Sequence, residues 1–186
     1  RLGLEGTSKL REVRGAANSR SYYFFLRHLC CLGLVLLNLL PRGYTQLQKT
    51  KLHFKHIQNE DGLSNSTIEA IHQDQRGFIW LGTRDGLNRY DGHQITVYKY
   101  TSTYPYSLSD SYVTCIYEDR QHQLWVGTLN GLNRYDPRLN RFTRFQHINQ
   151  QKNSLSHNYV TAILEDHKGH FWVTTLGGGI NVMDRK

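Results

Sequence analysis

The residues best suited to binding a ligand lie in a tyrosine-rich segment, residues 99–107, which contains Tyr100, Tyr104 and Tyr106. A tyrosine ring offers a flat apolar face and a polar hydroxyl, so such residues suit carbohydrate or peptide ligands. The alternative is that the three tyrosines only pack the segment itself. Polar side chains in two short predicted turns could join them, at positions 84–85 and 129–130.

Residue types that could perform catalysis or bind a metal are present, but their spacing does not favour either. Ten histidines occur, yet no pair has the H-x-x-x-H or H-E-x-x-H spacing of a zinc site on a helix. The sequence contains no P-loop, dinucleotide fingerprint or nucleophile elbow, and no evident carboxylate pair for glycoside hydrolysis. We therefore predict no catalytic residue, no metal site and no cofactor, and we expect this chain not to be an enzyme.

The positive charge of the chain is concentrated near its N-terminus. The formal net charge is +8, and residues 1–46 hold seven of the 23 Lys and Arg residues but only two of the 15 acidic residues. The remaining sequence is nearly balanced, whereas nucleic-acid binding needs a basic patch on the folded part. We therefore expect no direct nucleic-acid binding by this chain.

An apolar run of twelve residues, 29–40, follows the basic leader. A basic lead, a short apolar stretch and a polar exit are typical of a secretory signal. The run is also shorter than the roughly 20 apolar residues of a membrane-spanning helix. We predict a disordered leader over 1–28, a signal-peptide-like helix with its cleavage region over 29–46, and a folded domain over 47–186. A buried core helix and an uncleaved anchor are the alternatives.

Internal repeats dominate the rest of the sequence. A Leu-Ser block, a W-x-G-T block and a G-L-N-R-Y-D block recur in the same order, and the last block is degenerate in the third copy. The tryptophans of the second block, Trp80, Trp125 and Trp172, lie 45 and 47 residues apart. Four short strands in a unit of 40–50 residues are typical of a β-propeller blade.

We therefore predict an all-β fold, a β-propeller with three four-stranded blades of an incomplete ring, preceded by the signal-peptide-like helix. The blades are predicted over about 52–98, 99–145 and 146–186, and the third copy ends after its third strand. Complete rings have typically 4–8 blades. Residues 51–57 resemble residues 142–148, so we expect the folded part to begin with an outermost strand that could complete the last blade.

The W-x-G-T block is predicted to be structural, because it recurs in every blade as packing must. Each tryptophan would fill the space between blades, each glycine would allow close backbone approach, and each threonine would bond locally to the backbone. This set comprises Trp80, Gly82, Thr83, Trp125, Gly127, Thr128, Trp172 and Thr175. In the third block, Arg89 and Arg134 are expected to pair with acids between blades, with ligand contact as the alternative.

Propeller topology places the turn after the tryptophan strand on the same rim as the connection between blades. Connecting segments lie at the surface and often carry binding residues. The predicted ligand-binding residues are therefore Arg84, Asp85, Tyr100, Tyr104, Tyr106 and Asn130.

The ordered Leu-Ser, E-D-x-x-G and W-x-G-T-x-x-G-L-N-R-Y-D blocks resemble the two-component regulator propeller repeat over about residues 52–185. The resemblance implies the N-terminal periplasmic sensor part of a Bacteroides-type hybrid two-component histidine kinase whose parent chain is anchored in the inner membrane. It also implies further propeller blades in that parent, a homodimeric full-length form, and an oligosaccharide or other small periplasmic ligand that controls transcription. His122 and Thr174 stand where the repeat has glycine.

Two other functions stay open at the level of the sequence. The chain could be a secreted lectin-like propeller module that assembles as an oligomer, or a fragment of a propeller lyase or hydrolase. The lectin-like function predicts discrete oligomers, whereas a hydrolase needs acids or histidines that converge near the ring centre.

Overall fold

The structure, a computed structural model, describes residues 51–183, so the predicted leader and signal-peptide-like helix lie outside the described residues. Within this range one short 3-10 helix, Asn59–Asp61, precedes eleven strands. The strands are β1 (Ile68–Gln73), β2 (Ile79–Thr83), β3 (Gly86–Tyr90), β4 (Ile95–Tyr98), β5 (Val113–Glu118), β6 (Leu124–Thr128), β7 (Gly131–Asp136), β8 (Arg141–Phe145), β9 (Val160–Glu165), β10 (Phe171–Thr175) and β11 (Gly179–Met183).

The strands form three antiparallel sheets, in each of which neighbours in the chain are neighbours in the sheet. Blade one is β1–β4, blade two is β5–β8, and blade three is β9–β11 within the described residues. The tryptophans lie on the second strand of each blade. The predicted all-β architecture of repeated propeller blades is therefore confirmed.

The segment 51–57, which is predicted to be an outermost strand that could complete the last blade, is not a strand in the described residues. No residue of that segment belongs to a strand, and Leu52 and Phe54 are 73% and 80% exposed. A strand is stable only when its backbone groups pair with a neighbour. No strand of the described sheets pairs with this segment, so its sequence likeness to residues 142–148 does not produce the same local structure.

Two hydrophobic clusters join successive blades. The first contains Trp80 and Leu87 of blade one with Tyr135 and Phe142 of blade two, and the rings of Trp80 and Tyr135 lie 5.1 Å apart. The second contains Trp125 of blade two with residues of blade three such as Phe171, whose ring centre lies 4.8 Å away. The tryptophans therefore fill the space between blades, as their recurrence predicts.

The glycines of the W-x-G-T blocks lie where the next blade comes closest. A Cβ added to Gly82 would lie 2.5 Å from Val113 of blade two, and one added to Gly127 would lie 2.5 Å from the Cys115 sulfur of its own blade and 2.7 Å from Val160 of blade three. Real Cβ atoms do not approach other atoms so closely, so only glycine fits without displacing the neighbouring strand. Thr174 occupies the equivalent position in blade three, where its hydroxyl is 2.8 Å from that of Thr161.

Replacing Gly127 by alanine is expected to lower the free energy of unfolding by about 1–3 kcal/mol, because the added methyl overpacks the contact between blades two and three. Urea unfolding followed by circular dichroism measures the change. Thr174→Ala is the matched control, since it places the same residue at the equivalent position of blade three. We expect it to change the free energy of unfolding by no more than about 0.5 kcal/mol. Equal losses in both variants would show that the close approach of the blades does not set the requirement for glycine.

Each inner strand ends in a turn whose aspartate holds the following tryptophan. In blade one, Asp74 accepts hydrogen bonds from the backbone N–H of Arg76 and Phe78, both at 3.0 Å, and from the Trp80 indole N–H at 2.9 Å. The same aspartate-to-tryptophan bond occurs in blades two and three. The third residue after the aspartate has a positive φ, 87° at Gly77 and 61° at His122. The turn motif therefore fixes the orientation of the core tryptophan.

A glutamate at the end of an inner strand joins each blade to the turn of the preceding one. Glu118 of blade two accepts a hydrogen bond from the backbone N–H of Gln75 at 3.0 Å. Glu165 of blade three accepts the equivalent bond from Arg120 at 2.9 Å. The E-D pair that precedes the turn thus has two roles, since its glutamate joins blades and its aspartate shapes its own blade.

The expected ion pairs of Arg89 and Arg134 with acids between blades are wrong. The guanidinium of Arg89 lies over the rings of Phe78 and Trp80, at 4.9 and 5.9 Å, and contacts the Tyr135 hydroxyl at 3.5 Å. Aromatic faces attract a cation and can replace a carboxylate as its partner. Arg134 is exposed and makes no ion pair within the described residues.

Candidate functional site

A repeated polar network positions the turns that carry the predicted binding residues. In blade two, the carboxamide of Asn133 accepts from the Ser109 backbone N–H at 2.8 Å and donates to the Ser109 hydroxyl at 2.9 Å. The Ser109 hydroxyl also lies 2.8 Å from that of Thr128. Serine, threonine and asparagine make the corresponding contacts in blades one and three. One residue from each of the three sequence blocks therefore meets at a single point of the blade.

The threonine of this network shapes the turn that follows it. Thr83 donates to the carbonyl of Gly86 at 2.9 Å and accepts from the backbone N–H of Asp85 at 3.1 Å. Thr128 does the same for Gly131 and Asn130. These local bonds are of the kind predicted for the threonines, and they hold the turns that contain Arg84, Asp85 and Asn130.

A charged cluster at the junction of blades one and two contains the first predicted site residue. The Arg84 Nε lies 2.6 Å from a carboxylate oxygen of Glu69, and the Tyr112 hydroxyl donates to the same oxygen at 3.0 Å. The guanidinium also lies 5.7 Å from the centre of the Tyr112 ring. Since Tyr112 precedes the inner strand of blade two, this cluster connects the two blades.

The contacts of the cluster shift the pKa of each member. The hydrogen bond from Arg84, followed by that from Tyr112, lowers the pKa of Glu69. The same carboxylate raises the pKa of Arg84 and of Tyr112 through their hydrogen bonds to it. At neutral pH the cluster therefore presents a carboxylate, a guanidinium and a neutral phenol, a combination of donors and acceptors that suits hydroxyl groups.

The other two turn residues have partners within the protein. Asp85 lies 2.6 Å from the ammonium of Lys99, and both side chains are about half exposed. The carboxamide oxygen of Asn130 accepts from Asn158 at 3.0 Å, and its backbone carbonyl accepts from Gln146 at 2.8 Å. We call the surface formed by Glu69, Arg84, Asp85, Tyr112 and Asn130 the Arg84 rim.

The sequence predicts that the tyrosines of residues 99–107 gather on the same rim as Arg84, but in the structure they do not gather there. Tyr106 accepts a backbone hydrogen bond from Phe142 at 2.8 Å, and its ring lies 4.6 Å from the guanidinium of Arg141. Both partners begin β8, at the end of blade two opposite to Asn130. The ring of Tyr104 lies 5.7 Å from that of Tyr106.

Tyr100 also contacts the outer strand, since the guanidinium of Arg144 lies 5.3 Å from its ring centre. Arg144 further donates to Ser107 through its Nε at 2.8 Å. The tyrosine segment therefore begins beside the rim, where the Tyr100 backbone N–H donates to Ser111 at 3.1 Å, and then runs along the outer strand of blade two. Each of the three tyrosines is still 45–46% exposed, so their binding role stays a prediction at a different surface.

Sequence reasoning missed Glu69 and Tyr112, although the repeat contains a signal for one of them. Thr114 and Thr161 stand at the positions equivalent to Glu69, and Leu129 stands at the position equivalent to Arg84. Packing roles recur in every blade, so paired departures from the repeat indicate a role outside packing. Tyr112 carries no such signal, because blade three has tyrosine at the same position.

The remaining reactive groups do not form a further site in the part of the chain that the structure describes. No group of three or more His, Cys, Asp or Glu side chains in residues 51–183 is placed to hold a metal ion. Burial raises the pKa of the Cys115 thiol to about 11, so this thiol is protonated at neutral pH. Among residues 51–183, none of the helical segments has the length and hydropathy of a membrane span.

The fold and its repeated motifs define a β-propeller built from blades of one sequence family. Residues 62–85, 107–130 and 154–177 match the family described as the two component regulator propeller. Each match begins near the Leu-Ser block and ends in the turn after the tryptophan strand. Three segments of the chain therefore match the two-component regulator propeller repeat.

Solved structures with the same fold come from bacterial signalling proteins. The extracellular domain of the hybrid two component system BT3049 of B. thetaiotaomicron is 31% identical with a TM-score of 0.65, over 70% of this chain and 19% of that one. The corresponding domain of the system BT4673 of the same organism is 27% identical with a TM-score of 0.61, over 73% of this chain and 19% of that one. The chain thus resembles extracellular propeller domains of two-component sensors.

A curated relative belongs to the same class of proteins. Histidine kinase P4 of Formosa agariphila is 46% identical over 52 residues, which are 28% of this chain and 4% of that protein. The chain therefore spans only a small part of the length of the proteins that it matches.

Proposed function

We propose that this chain is part of the extracytoplasmic ligand-recognition domain of a membrane-bound hybrid sensor histidine kinase/response regulator. The observation that carries the proposal is its likeness, in sequence and fold, to the extracellular domain of the B. thetaiotaomicron system. In this function the chain lies in the periplasm, and its parent is anchored in the inner membrane. The phosphoryl chemistry belongs to the parent, and no residue of this chain is catalytic.

The proposed ligand is an oligosaccharide, and the Arg84 rim is its proposed contact surface. A sugar presents many hydroxyl groups, each of which can donate and accept hydrogen bonds. Arg84 and the Tyr112 hydroxyl supply donors, while Glu69 and Asp85 supply acceptors, and all four side chains are at least partly exposed. A site built to pair with hydroxyl groups discriminates well against ligands that lack them.

Recognition at this rim would reach the rest of the protein through the junction of blades one and two. Tyr112 of blade two donates to Glu69 of blade one, so a ligand that competes for this carboxylate changes a contact between blades. Ligand binding shifts a conformational equilibrium only through different affinities for its two states. The remaining blades of the parent and its second copy in a homodimer are the proposed receivers of that change, with transcription as the output.

Arg84→Ala is expected to weaken binding of a recognised oligosaccharide by about tenfold, since it removes a charged hydrogen-bond donor. Isothermal titration calorimetry of the full chain measures this, with cello-oligosaccharide, oligogalacturonate and sulfated oligogalactan of matched length as probes. Arg120→Ala is the matched control, because Arg120 is exposed on the turn of blade two, at the other end of the blades.

The result that would overturn the rim as the contact surface is a bound oligosaccharide whose affinity is the same in Arg84→Ala as in the parent chain. Binding to none of the three probes would remove the support for an oligosaccharide ligand. A chain that forms discrete oligomers and binds sugar only in that form would favour the lectin-like function instead.

A further inference from the structure

A second surface, at the end of the blades opposite to the Arg84 rim, contains a cavity of about 480 Å³. The turns that follow β1 and β5 and the hairpin between β7 and β8 form its wall. Its lining includes Arg134, Arg138, Arg141, His122, Gln121 and Thr143. Arg134, for which the sequence leaves ligand contact as the alternative to an ion pair, lines this cavity, whereas none of the six predicted ligand-binding residues does.

The carboxylates that line the cavity are already engaged by the protein. Asp74 accepts from the Trp80 indole and from backbone N–H groups. Glu118 accepts from the backbone of Gln75 and lies 3.4 Å from His72 and 3.7 Å from His122.

Asp136 accepts from the backbone N–H groups of Arg138 and Leu139, at 3.0 and 3.3 Å, and lies 3.9 Å from the Nε of Arg141. All three acids therefore have internal partners.

Two of the arginines, in contrast, have no partner for their guanidinium groups within residues 51–183. The Arg134 side chain makes no hydrogen bond, ion pair or ring contact there, and Arg138 contributes only its backbone N–H. The equivalent of Arg134 in blade one, Arg89, packs over the ring of Phe78. Gln123 replaces that phenylalanine in blade two. The Arg134 guanidinium therefore has no aromatic face at this position, and it stays exposed.

The hairpin between β7 and β8 is longer than its counterpart in blade one. In blade one, Tyr90 pairs with Ile95, whereas in blade two the equivalent Tyr135 pairs with Phe142. The loop of blade two is therefore two residues longer, and it carries Arg138. Insertions in single repeats map to loops that bind partners, because packing does not require them.

An aromatic face lies beside the cavity. The guanidinium of Arg141, on the cavity wall, lies 4.6 Å from the centre of the Tyr106 ring, and Tyr106 is 45% exposed. Sugar rings stack their C–H faces on aromatic side chains, and a guanidinium binds a carboxylate or a sulfate through two parallel hydrogen bonds. A cation group and an aromatic ring are thus adjacent on one surface.

We propose that this cavity is a second ligand-binding site, which takes the carboxylate or sulfate group of an acidic oligosaccharide. Arg134 and Arg138 bind the anionic group, and Tyr106 contacts the adjoining sugar ring. The inference rests on the proposed function only in its choice of a sugar as the carrier of the anion. The site itself is separate from the Arg84 rim.

The test is calorimetric titration of the full chain with oligogalacturonate, sulfated oligogalactan and neutral cello-oligosaccharide of matched length. The double variant Arg134→Gln/Arg138→Gln is expected to weaken binding of at least one acidic probe by about tenfold or more. Lys55→Gln/Lys152→Gln is the matched control, since it removes the same charge from exposed positions outside the cavity, and it should change the affinity less than twofold. Tyr106→Ala should weaken binding of the acidic oligosaccharide but leave binding of free sulfate unchanged.

The outcomes separate this inference from the proposed function. If only the Arg134→Gln/Arg138→Gln variant loses affinity for an acidic oligosaccharide, the result supports the cavity as the binding site. The acidic probe that binds more tightly then identifies the anionic group. Equal loss in the lysine control shows general charge attraction and overturns the cavity. Binding that depends on Arg84 but not on Arg134 and Arg138 overturns the cavity while the proposed function stands. No binding to any probe overturns the cavity and removes the support for an oligosaccharide ligand, while the reading frame beyond residue 186 tests the sensor function separately.

Discussion

Replacing Trp80 by alanine is expected to lower the free energy of unfolding of the chain by about 3–5 kcal/mol. Trp80 is fully buried, its indole donates to Asp74, and its ring packs on those of Tyr98 and Tyr135. The substitution removes the largest side chain between blades one and two and leaves the Asp74 carboxylate without one of its donors. Urea unfolding followed by circular dichroism measures the loss.

Trp172→Ala is the control for this result, because it removes the equivalent side chain of blade three. Trp172 is only half-buried and has His170 as its ring contact, so we expect a clearly smaller loss. Equal losses for the two variants would contradict the account in which tryptophan stabilises the fold by filling the space between blades. Trp80→Phe, which keeps an aromatic ring but no indole N–H, separates the packing contribution from the hydrogen bond to Asp74.

Asn133→Ala is expected to lower the free energy of unfolding by about 2–4 kcal/mol, because it leaves several buried polar groups without partners. The carboxamide of Asn133 bonds the backbone N–H and the hydroxyl of Ser109 and the carbonyl of Val126, and its side chain is fully buried. Water cannot replace these contacts without opening the blade. The same urea unfolding experiment measures the loss.

Asn181→Ala tests the same contacts at a more exposed site. Asn181 accepts from the backbone of Ser156 at 2.9 Å and donates to Val173 at 3.1 Å. Because Ser156 is exposed, water can replace part of this hydrogen bonding. We therefore expect the free energy of unfolding to fall by about 1 kcal/mol or less. If Asn133→Ala were as mild as Asn181→Ala, the polar network would not be a source of blade stability.

Most of the fold could be predicted because the repeat marks the same structural role three times. A glycine such as Gly127 and a tryptophan such as Trp125 recur at fixed positions, and recurrence identifies packing residues even without a structure. The pairing of the strands can be predicted as well, because short apolar segments between turns can bury their faces only by pairing with neighbouring strands. The segment 51–57 forms no strand although it resembles residues 142–148, since a strand requires a sheet edge and none of the described sheets supplies one to this segment.

The polar networks could not be predicted because their members are distant in the sequence. Ser109 and Asn133 are 24 positions apart, and Ser109 and Thr128 are 19 apart, so no local pattern indicates that they meet. The partners of Arg89 were missed because an aromatic face and a carboxylate are both suitable for a guanidinium. Only the packed structure decides between them.

The candidate site was predicted in part. The turn residues Arg84 and Asp85 lie on one rim, because their position depends only on the order of strands. Tyr106 lies elsewhere, because the path of a long connection is set by contacts such as that with Arg141 and not by its end points. The sequence left Arg134 open between an ion pair and a ligand contact and gave no signal for Arg138, since a charge without a partner can be recognised only when its surroundings are known.

The central claim is that these blades belong to the sensor part of a larger signalling protein, and the transcript beyond codon 186 tests it most directly. Sequencing of the messenger RNA should show an open reading frame with further W-x-G-T repeats, an apolar span of about 20 residues and a histidine kinase domain. A stop codon at or close to codon 186 would contradict the sensor function. The oligomeric mass of the purified chain would then decide whether it forms a lectin-like ring.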